Sequence, residues 1–70
     1  MSDLELKIKD AENHINKTIE MVVKDYKTNG ASIWNNHQRF RVCGMIELLK
    51  TFTGKDYFFD ENGLHERNGG

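Results

Sequence analysis

Apolar residues recur at helical spacing through the first 26 residues of the chain, with charged and amide side chains between them. The stripe comprises Leu4, Ile8, Ala11, Ile15, Thr18 or Ile19, Val22 and Tyr26. Ser2 and Glu5 have the spacing of a capping box, which starts helices, and Asn29-Gly30 is suited to a left-handed C-terminal cap. The pattern predicts a helix over residues 3–28 with one apolar face.

The middle of the chain predicts a second helix, over residues 33–53, with a wider apolar face. Ser32 is a suitable N-cap, and Gly54 follows the last apolar position. Two apolar stripes lie side by side, one of Trp34, Val42, Met45, Leu49 and Phe52, the other of Ile33, Phe40, Gly44 and Leu48. A doubled face indicates that this helix contacts more than the first helix, either the C-terminal segment or another subunit.

The C-terminal segment predicts a short β-hairpin over residues 57–66. An aromatic run, Tyr57-Phe58-Phe59, precedes the turn sequence Asn62-Gly63 and is followed by Leu64. An isolated hairpin is marginal in water, so we expect Tyr57, Phe59 or Leu64 to pack on the helices. The predicted fold is mainly α, or α+β at most, with a two-helix antiparallel hairpin followed by this β-hairpin.

Length and composition place further bounds on the chain. Its 70 residues predict a single domain, 1–70, in which residues 68–70 form a disordered tail. A small core and a lone cysteine, Cys43, leave oligomerisation as the remaining source of stability. There is no apolar run of about 20 residues, and the acidic start lacks the features of a signal peptide. We therefore expect a cytoplasmic protein, in the host cytoplasm if the source is viral.

The net charge of −1 conceals an uneven distribution. Residues 1–26 carry four lysines against six acidic side chains, and residues 27–55 carry five basic side chains against one glutamate. Residues 56–70 carry four acidic side chains against one arginine. The basic middle favours an anionic ligand, whereas the acidic flanks argue against a long nucleic-acid track.

The first half of the second helix concentrates groups that can bind a nucleotide. The candidate ligand residues are Trp34, Asn35, Asn36, His37, Gln38, Arg39 and Arg41. Guanidiniums suit phosphates, amides hydrogen-bond base edges, and the indole or imidazole can stack on a base. The alternative is that Trp34 and Phe40 are core residues and the rest is a solvated polar face. The candidate interface residues are Phe40, Gly44, Met45, Leu48 and Phe52.

No pattern indicates catalysis, a metal or a cofactor. The three histidines and Cys43 lack the spacing of zinc ligands. Cys43 lies mid-helix without an activating base, which favours a small buried residue at a close helix crossing. A glycine inside a helix usually marks close approach of another backbone. For Gly44 that neighbour is Ala11 or the equivalent helix of another subunit. No phosphate loop or Ser-His-Asp order occurs, so we expect no enzyme activity.

The second helix resembles a known protein family. Trp34, Gly44-Met45 ten residues later, then Leu48 and Lys50 are similar to the second helix of phage-encoded helical-hairpin proteins. Those proteins sequester the cyclic-nucleotide alarm signals of bacterial defence systems (CBASS, and the related Thoeris inhibitors). The resemblance implies a non-enzymatic homo-oligomer whose ligand sits between subunits. It assigns no individual ligand residue.

Together these features predict a small phage or mobile-element protein that sequesters an anionic nucleotide-like signal at an oligomer interface and so counters host defence. One alternative is a protein–protein inhibitor or adaptor that docks on a host protein through helix two and the aromatic tail. A weaker alternative is DNA binding through helix two, which would fall steeply with salt.

Overall fold

A computed structural model describes residues 2–67 of the chain. Its elements follow in the order α1 (Asp3–Asn29), α2 (Ile33–Thr53), β1 (Asp56–Asp60) and β2 (Gly63–Arg67). The predicted mainly α fold, with two helices followed by a β-hairpin, is confirmed. The predicted disorder of residues 68–70 lies outside the described residues.

Short-range hydrogen bonds set the ends of both helices. At the start of α1 the Ser2 hydroxyl accepts a hydrogen bond from the Glu5 amide at 3.2 Å. Gly30 follows α1 with a φ of 72°, and Gly54 follows α2 with a φ of 69°. Residues with a side chain rarely adopt a positive φ of this size, whereas glycine adopts it readily. The amide of each glycine donates back to the last helical turn, to the carbonyls of Tyr26 and Lys50. The sequence signals at these two glycines therefore predict the helix ends correctly.

The core lies where α1 and α2 pack against each other as a helical hairpin. Its buried members are Ile15, Ile19, Val42, Ile46, Leu49 and Tyr57. The middle of the predicted α1 stripe is confirmed, but its first and last members, Leu4 and Tyr26, are exposed because the core ends before them. Each buried aliphatic side chain contributes about 1.5–3 kcal/mol relative to exposure. Because the core is this small, its total contribution is modest.

The β-hairpin covers one side of the helical pair. The Tyr57 hydroxyl donates to Glu12 Oε2 at 3.1 Å, and the Leu64 amide donates to Asn16 Oδ1 at 2.8 Å. An ion pair of 3.3 Å joins Lys50 to Asp56. Tyr57 is buried, and Phe59 and Leu64 pack partly buried against the core, as predicted. The hairpin therefore completes the core from one side only.

The turn of the hairpin lies one residue earlier than the Asn62-Gly63 signal indicates. Asp60 pairs with Gly63, which leaves Glu61 and Asn62 at the tip. The Asp60 carboxylate accepts a hydrogen bond from the Asn62 amide at 2.8 Å, and this local bond holds the turn.

Neither α1 nor α2 has an apolar stretch long enough to cross a membrane.

Candidate functional site

The first turn of α2 is built around Asn35, which is buried. Its side-chain oxygen accepts from the Ser32 amide at 3.1 Å, and the Ser32 hydroxyl accepts from the Asn35 amide at 3.1 Å. The Asn35 side-chain nitrogen donates to the Gly30 carbonyl at 2.8 Å and to Asp25 Oδ2 at 3.2 Å. Asn35 thus ties the end of α1 to the start of α2. The side-chain amide of Asn35 already has hydrogen-bond partners within the chain, so Asn35 is not available to bind a ligand.

The other six candidate ligand residues divide between two sides of α2. Successive helical residues are about 100° apart, so positions three and four apart share a face. Trp34, His37, Gln38 and Arg41 share one side by this spacing. Asn36 and Arg39 lie on the other side.

Arg39 lies on the side of α2 that the hairpin covers. It borders a groove of about 350 Å³ between the two helices and the hairpin turn. Buried Val22 and Val42 help to form an apolar floor, and Lys27 and Glu61 also line the groove. Arg39 therefore cannot share one ligand atom with Arg41 inside a single copy, because the two side chains start from opposite sides of the helix.

The side of α2 that carries Trp34, His37, Gln38 and Arg41 is called the open face here. It lies opposite the hairpin, which contacts α2 through Lys50 and the groove around Val42. Trp34 is 42% exposed. Within residues 2–67, Arg41 forms no ion pair. The open face therefore combines an indole, an imidazole, an amide and a free guanidinium on one accessible surface.

A second surface of α2 points away from α1 and is called the outward stripe. Its apolar members are Ile33, Phe40, Gly44 and Leu48, with Phe52 at its edge. His37 lies between Ile33 and Phe40, where the outward stripe adjoins the open face. Ile33, Phe40, Leu48 and Phe52 are 82%, 77%, 62% and 74% exposed. The outward stripe contains four of the five candidate interface residues. The fifth, Met45, is half-buried against the core.

The structure corrects three expectations about four residues of α2. Trp34 and Phe40 are exposed, so the alternative that makes them core residues is wrong. Cys43 is exposed rather than buried at a helix crossing. A Cβ built on Gly44 would meet nothing within 4 Å, so Ala11 does not approach it. One cause explains the position of all four residues. The side of α2 that faces α1 is formed by Asn35, Val42, Ile46 and Leu49, so Trp34, Phe40, Cys43 and Gly44 lie on other sides of the helix.

Sequence reasoning missed two features. Ser32 and Asn35 form a reciprocal cap at the start of α2, and their spacing matches the capping-box signal with asparagine at its third position. Ile46 belongs to neither predicted stripe, yet it is a core residue. Ile46 follows Val42 by four residues and therefore shares its helical face, so the sequence could have predicted that both are core residues.

An exposed cluster on the hairpin is held by its own side chains. His65 Nε2 lies 2.8 Å from Asp60 Oδ1, and this hydrogen bond holds the pKa of the Asp60 carboxyl below its usual value. The rings of Phe58 and His65 stack with centroids 5.0 Å apart, and the Arg67 guanidinium lies 4.9 Å from the centre of the Phe58 ring. These contacts join β1 to β2 across the strand pair, so they stabilise the hairpin.

Residues 2–67 contain no group of three or more His, Cys, Asp or Glu side chains placed to hold a metal ion. No family model, curated protein or solved structure matches the chain.

Proposed function

We propose that this protein is a non-enzymatic binding module that captures an anionic, nucleotide-like ligand on the open face of α2, at an interface between copies. The observation that carries the proposal is the shared orientation of Trp34, His37 and Arg41 on the side of the helices opposite the hairpin. The fold itself makes little use of these side chains, since the core is formed by other positions of α2.

Each side chain of the open face has a chemical role in this proposal. The Arg41 guanidinium binds a phosphate through two parallel hydrogen bonds. Trp34 and His37 stack on a base, and Gln38 hydrogen-bonds its edge. A basic stretch over residues 27–55 adds a favourable potential for an anion.

The biological role that we propose rests on the resemblance to phage helical-hairpin proteins. In that role the ligand is a cyclic-nucleotide alarm signal of a bacterial defence system. The protein lowers the free concentration of the signal by binding it, so it needs stoichiometric amounts and no turnover.

Trp34 is the only tryptophan of the chain and is therefore a direct reporter of binding. Titration with a cyclic dinucleotide should change its fluorescence and raise the melting temperature of the protein. Arg41→Ala should weaken this binding by about 10- to 100-fold, because a hydrogen bond to a charged group is worth about 1.5–3 kcal/mol. A parallel titration with inorganic phosphate separates recognition of the nucleotide from recognition of any anion.

Arg39→Ala is the matched control, since it removes the same charge two residues away on the other side of the helix. It should leave the affinity within about threefold, the error expected for a distant surface charge. Equal losses in both variants, or no fluorescence change with any nucleotide tested, would contradict a site on the open face.

A second candidate function is a protein–protein inhibitor or adaptor that docks on a host protein. The observation that favours it is the outward stripe, because Phe40, Leu48 and Phe52 form a large exposed apolar surface. Light scattering distinguishes the two candidates. A symmetric oligomer of the isolated chain favours ligand capture between copies, whereas a monomer that binds one host protein tightly favours the adaptor.

A further inference from the structure

The outward stripe of α2 is an apolar surface that no described part of the chain covers. We propose that it pairs with the outward stripe of a second copy, so that the two α2 helices cross antiparallel at Gly44. This inference deepens the proposed function by naming the partner that forms the interface. Its test needs no ligand, so the two ideas can fail separately.

The exposed area of the outward stripe matches the needs of a stable dimer. A standard interface buries about 800 Å² on each partner. Aromatic side chains each bury about 150–250 Å². Phe40 and Phe52, with Ile33 and Leu48, are all more than half exposed. With Trp34 at the margin they supply most of the required area, and they do so along one helix.

Gly44 gives the position of the crossing. A glycine in a helix interior costs about 1 kcal/mol relative to alanine. Within one copy no close contact requires a glycine at this position, because a Cβ on Gly44 would have open space around it. A second α2 that crosses at Gly44 gives the glycine a packing role, since its missing side chain allows two backbones to approach closely.

The residues around Gly44 favour the antiparallel orientation. Phe40 and Leu48 lie four residues before and after the glycine. An antiparallel crossing at Gly44 places each Phe40 at the level of the partner's Leu48, so a large ring faces a smaller aliphatic side chain at both ends of the contact. A parallel crossing instead places the two Phe40 rings at one level and the two smaller leucines at another.

The small core supplies a reason for the second copy. Six buried side chains form the core cluster, while several larger apolar side chains remain outside it. Chains of this length often need oligomerisation for stability. Pairing two outward stripes buries the surface that the β-hairpin leaves exposed.

The antiparallel pair also brings the two open faces together. The two antiparallel helices are related by a two-fold axis that is normal to the plane containing both helices and passes between the two Gly44 residues. Rotation about this axis exchanges the two copies but keeps every group on the same side of that plane, so both open faces lie on one side of the pair. The two Arg41 side chains then flank the seam between the copies. This arrangement suits a ligand that carries two phosphates, one for each arginine.

Sedimentation velocity of the unliganded full chain over a concentration series tests the pairing. We expect a dimer whose dissociation is concentration-dependent. Leu48→Glu should convert it to a monomer with unchanged far-ultraviolet circular dichroism. Met21→Glu is the matched control, because it places the same charge on an exposed apolar position of α1, and it should leave the dimer intact. Phe40→Ser is a second variant in case Leu48→Glu does not fold.

Gly44→Ala tests the crossing point. The added methyl has room inside one copy and favours the helix, so the melting temperature of the dilute monomer should not fall. The dimer should dissociate at least tenfold more readily. A wild-type monomer at all concentrations, a dimer that survives both Leu48→Glu and Phe40→Ser, or an unchanged dimer in Gly44→Ala would overturn the inference.

Disulfide trapping tests the orientation. In a Cys43→Ser background, one chain carries Phe40→Cys and another carries Leu48→Cys. After mixing and mild oxidation, the antiparallel pair should give mainly the mixed disulfide. Predominance of the two homodisulfides would show a parallel pair instead. Because no nucleotide is present, these results stand whether or not the ligand titrations succeed.

Discussion

The two helices use their apolar residues differently. α1 buries Ile15, Ile19 and Val22 along one face, and its exposed apolar side chains are scattered along the helix. α2 buries Val42, Ile46 and Leu49 and also presents a second, aligned row of apolar residues to the outside. Single exposed apolar residues are normal on protein surfaces, whereas an aligned row is a sign of a partner.

This difference distinguishes the residues whose positions are explained by packing within one copy from the residues whose positions are not. The apolar pattern of α1 is explained largely by the packing of one copy. In α2 only the face that includes Asn35, Val42 and Leu49 is explained in that way. The packing of one copy does not explain the remaining two faces, the open face and the outward stripe, and we propose that these two faces bind. Substitutions that act differently on the two sides of α2 test this division most directly.

The largest effect is expected at Ile46. Ile46→Ala should lower the free energy of unfolding by about 2–5 kcal/mol, because it leaves a cavity in a small core. Leu48→Ala, two residues away, removes a similar volume from the outward stripe. Measured by urea denaturation at a dilution where the chain is monomeric, it should cost less than about 0.5 kcal/mol. Similar losses in both variants would mean that Leu48 is packed within one copy.

A smaller effect is expected at Asn35. Asn35→Ala should lower the free energy of unfolding by about 1–3 kcal/mol, since it leaves the Gly30 carbonyl and the Ser32 amide without their partner. Asn36→Ala is the control, because Asn36 is exposed, and its cost should stay within about 0.5 kcal/mol. If Asn36→Ala destabilised the protein as much as Asn35→Ala, the connection between the helices would be held differently.

The fold was largely predictable because its signals are local. Ser32, Gly30 and Gly54 define helix ends through hydrogen bonds within a few residues. The aromatic run around Tyr57 defines the hairpin in the same way. Each signal acts over a short stretch of chain, so no knowledge of the tertiary packing is needed to use it.

The rotation of α2 about its own axis was not predictable from the same signals. Of the predicted stripe that runs from Trp34 to Phe52, Val42 and Leu49 are buried in the core, but Trp34 and Phe52 are exposed. The buried hydrogen bonds of Asn35 help to turn the contact with α1 toward Asn35 and Ile46, which lie beside Val42 on the helix. The apolar pattern gives no sign of a polar residue on the core face. The candidate ligand residues therefore included the buried Asn35, and they placed Arg39 and Arg41 in one site.

The smallest effect concerns the side of the core that the hairpin covers. Burial raises the pKa of the Tyr57 phenol; a hydrogen bond with Thr53 opposes this, and the one with Glu12 adds to it. The folded protein therefore holds the phenolic proton more tightly than the unfolded chain, whose tyrosine has the ordinary pKa of 10.0. By linkage, this contribution to stability is complete below that pH and declines as the pH rises through the folded pKa.

Tyr57→Phe isolates this contribution from the titration of lysines, which both proteins share. Near neutral pH the variant should be less stable by about 0.5–1.5 kcal/mol, through the lost hydrogen bond to Glu12. Above about pH 10 the wild type loses stability more steeply, so the two urea-denaturation curves should converge. A constant difference across that range would show that the phenol ionises equally in the folded and unfolded chains.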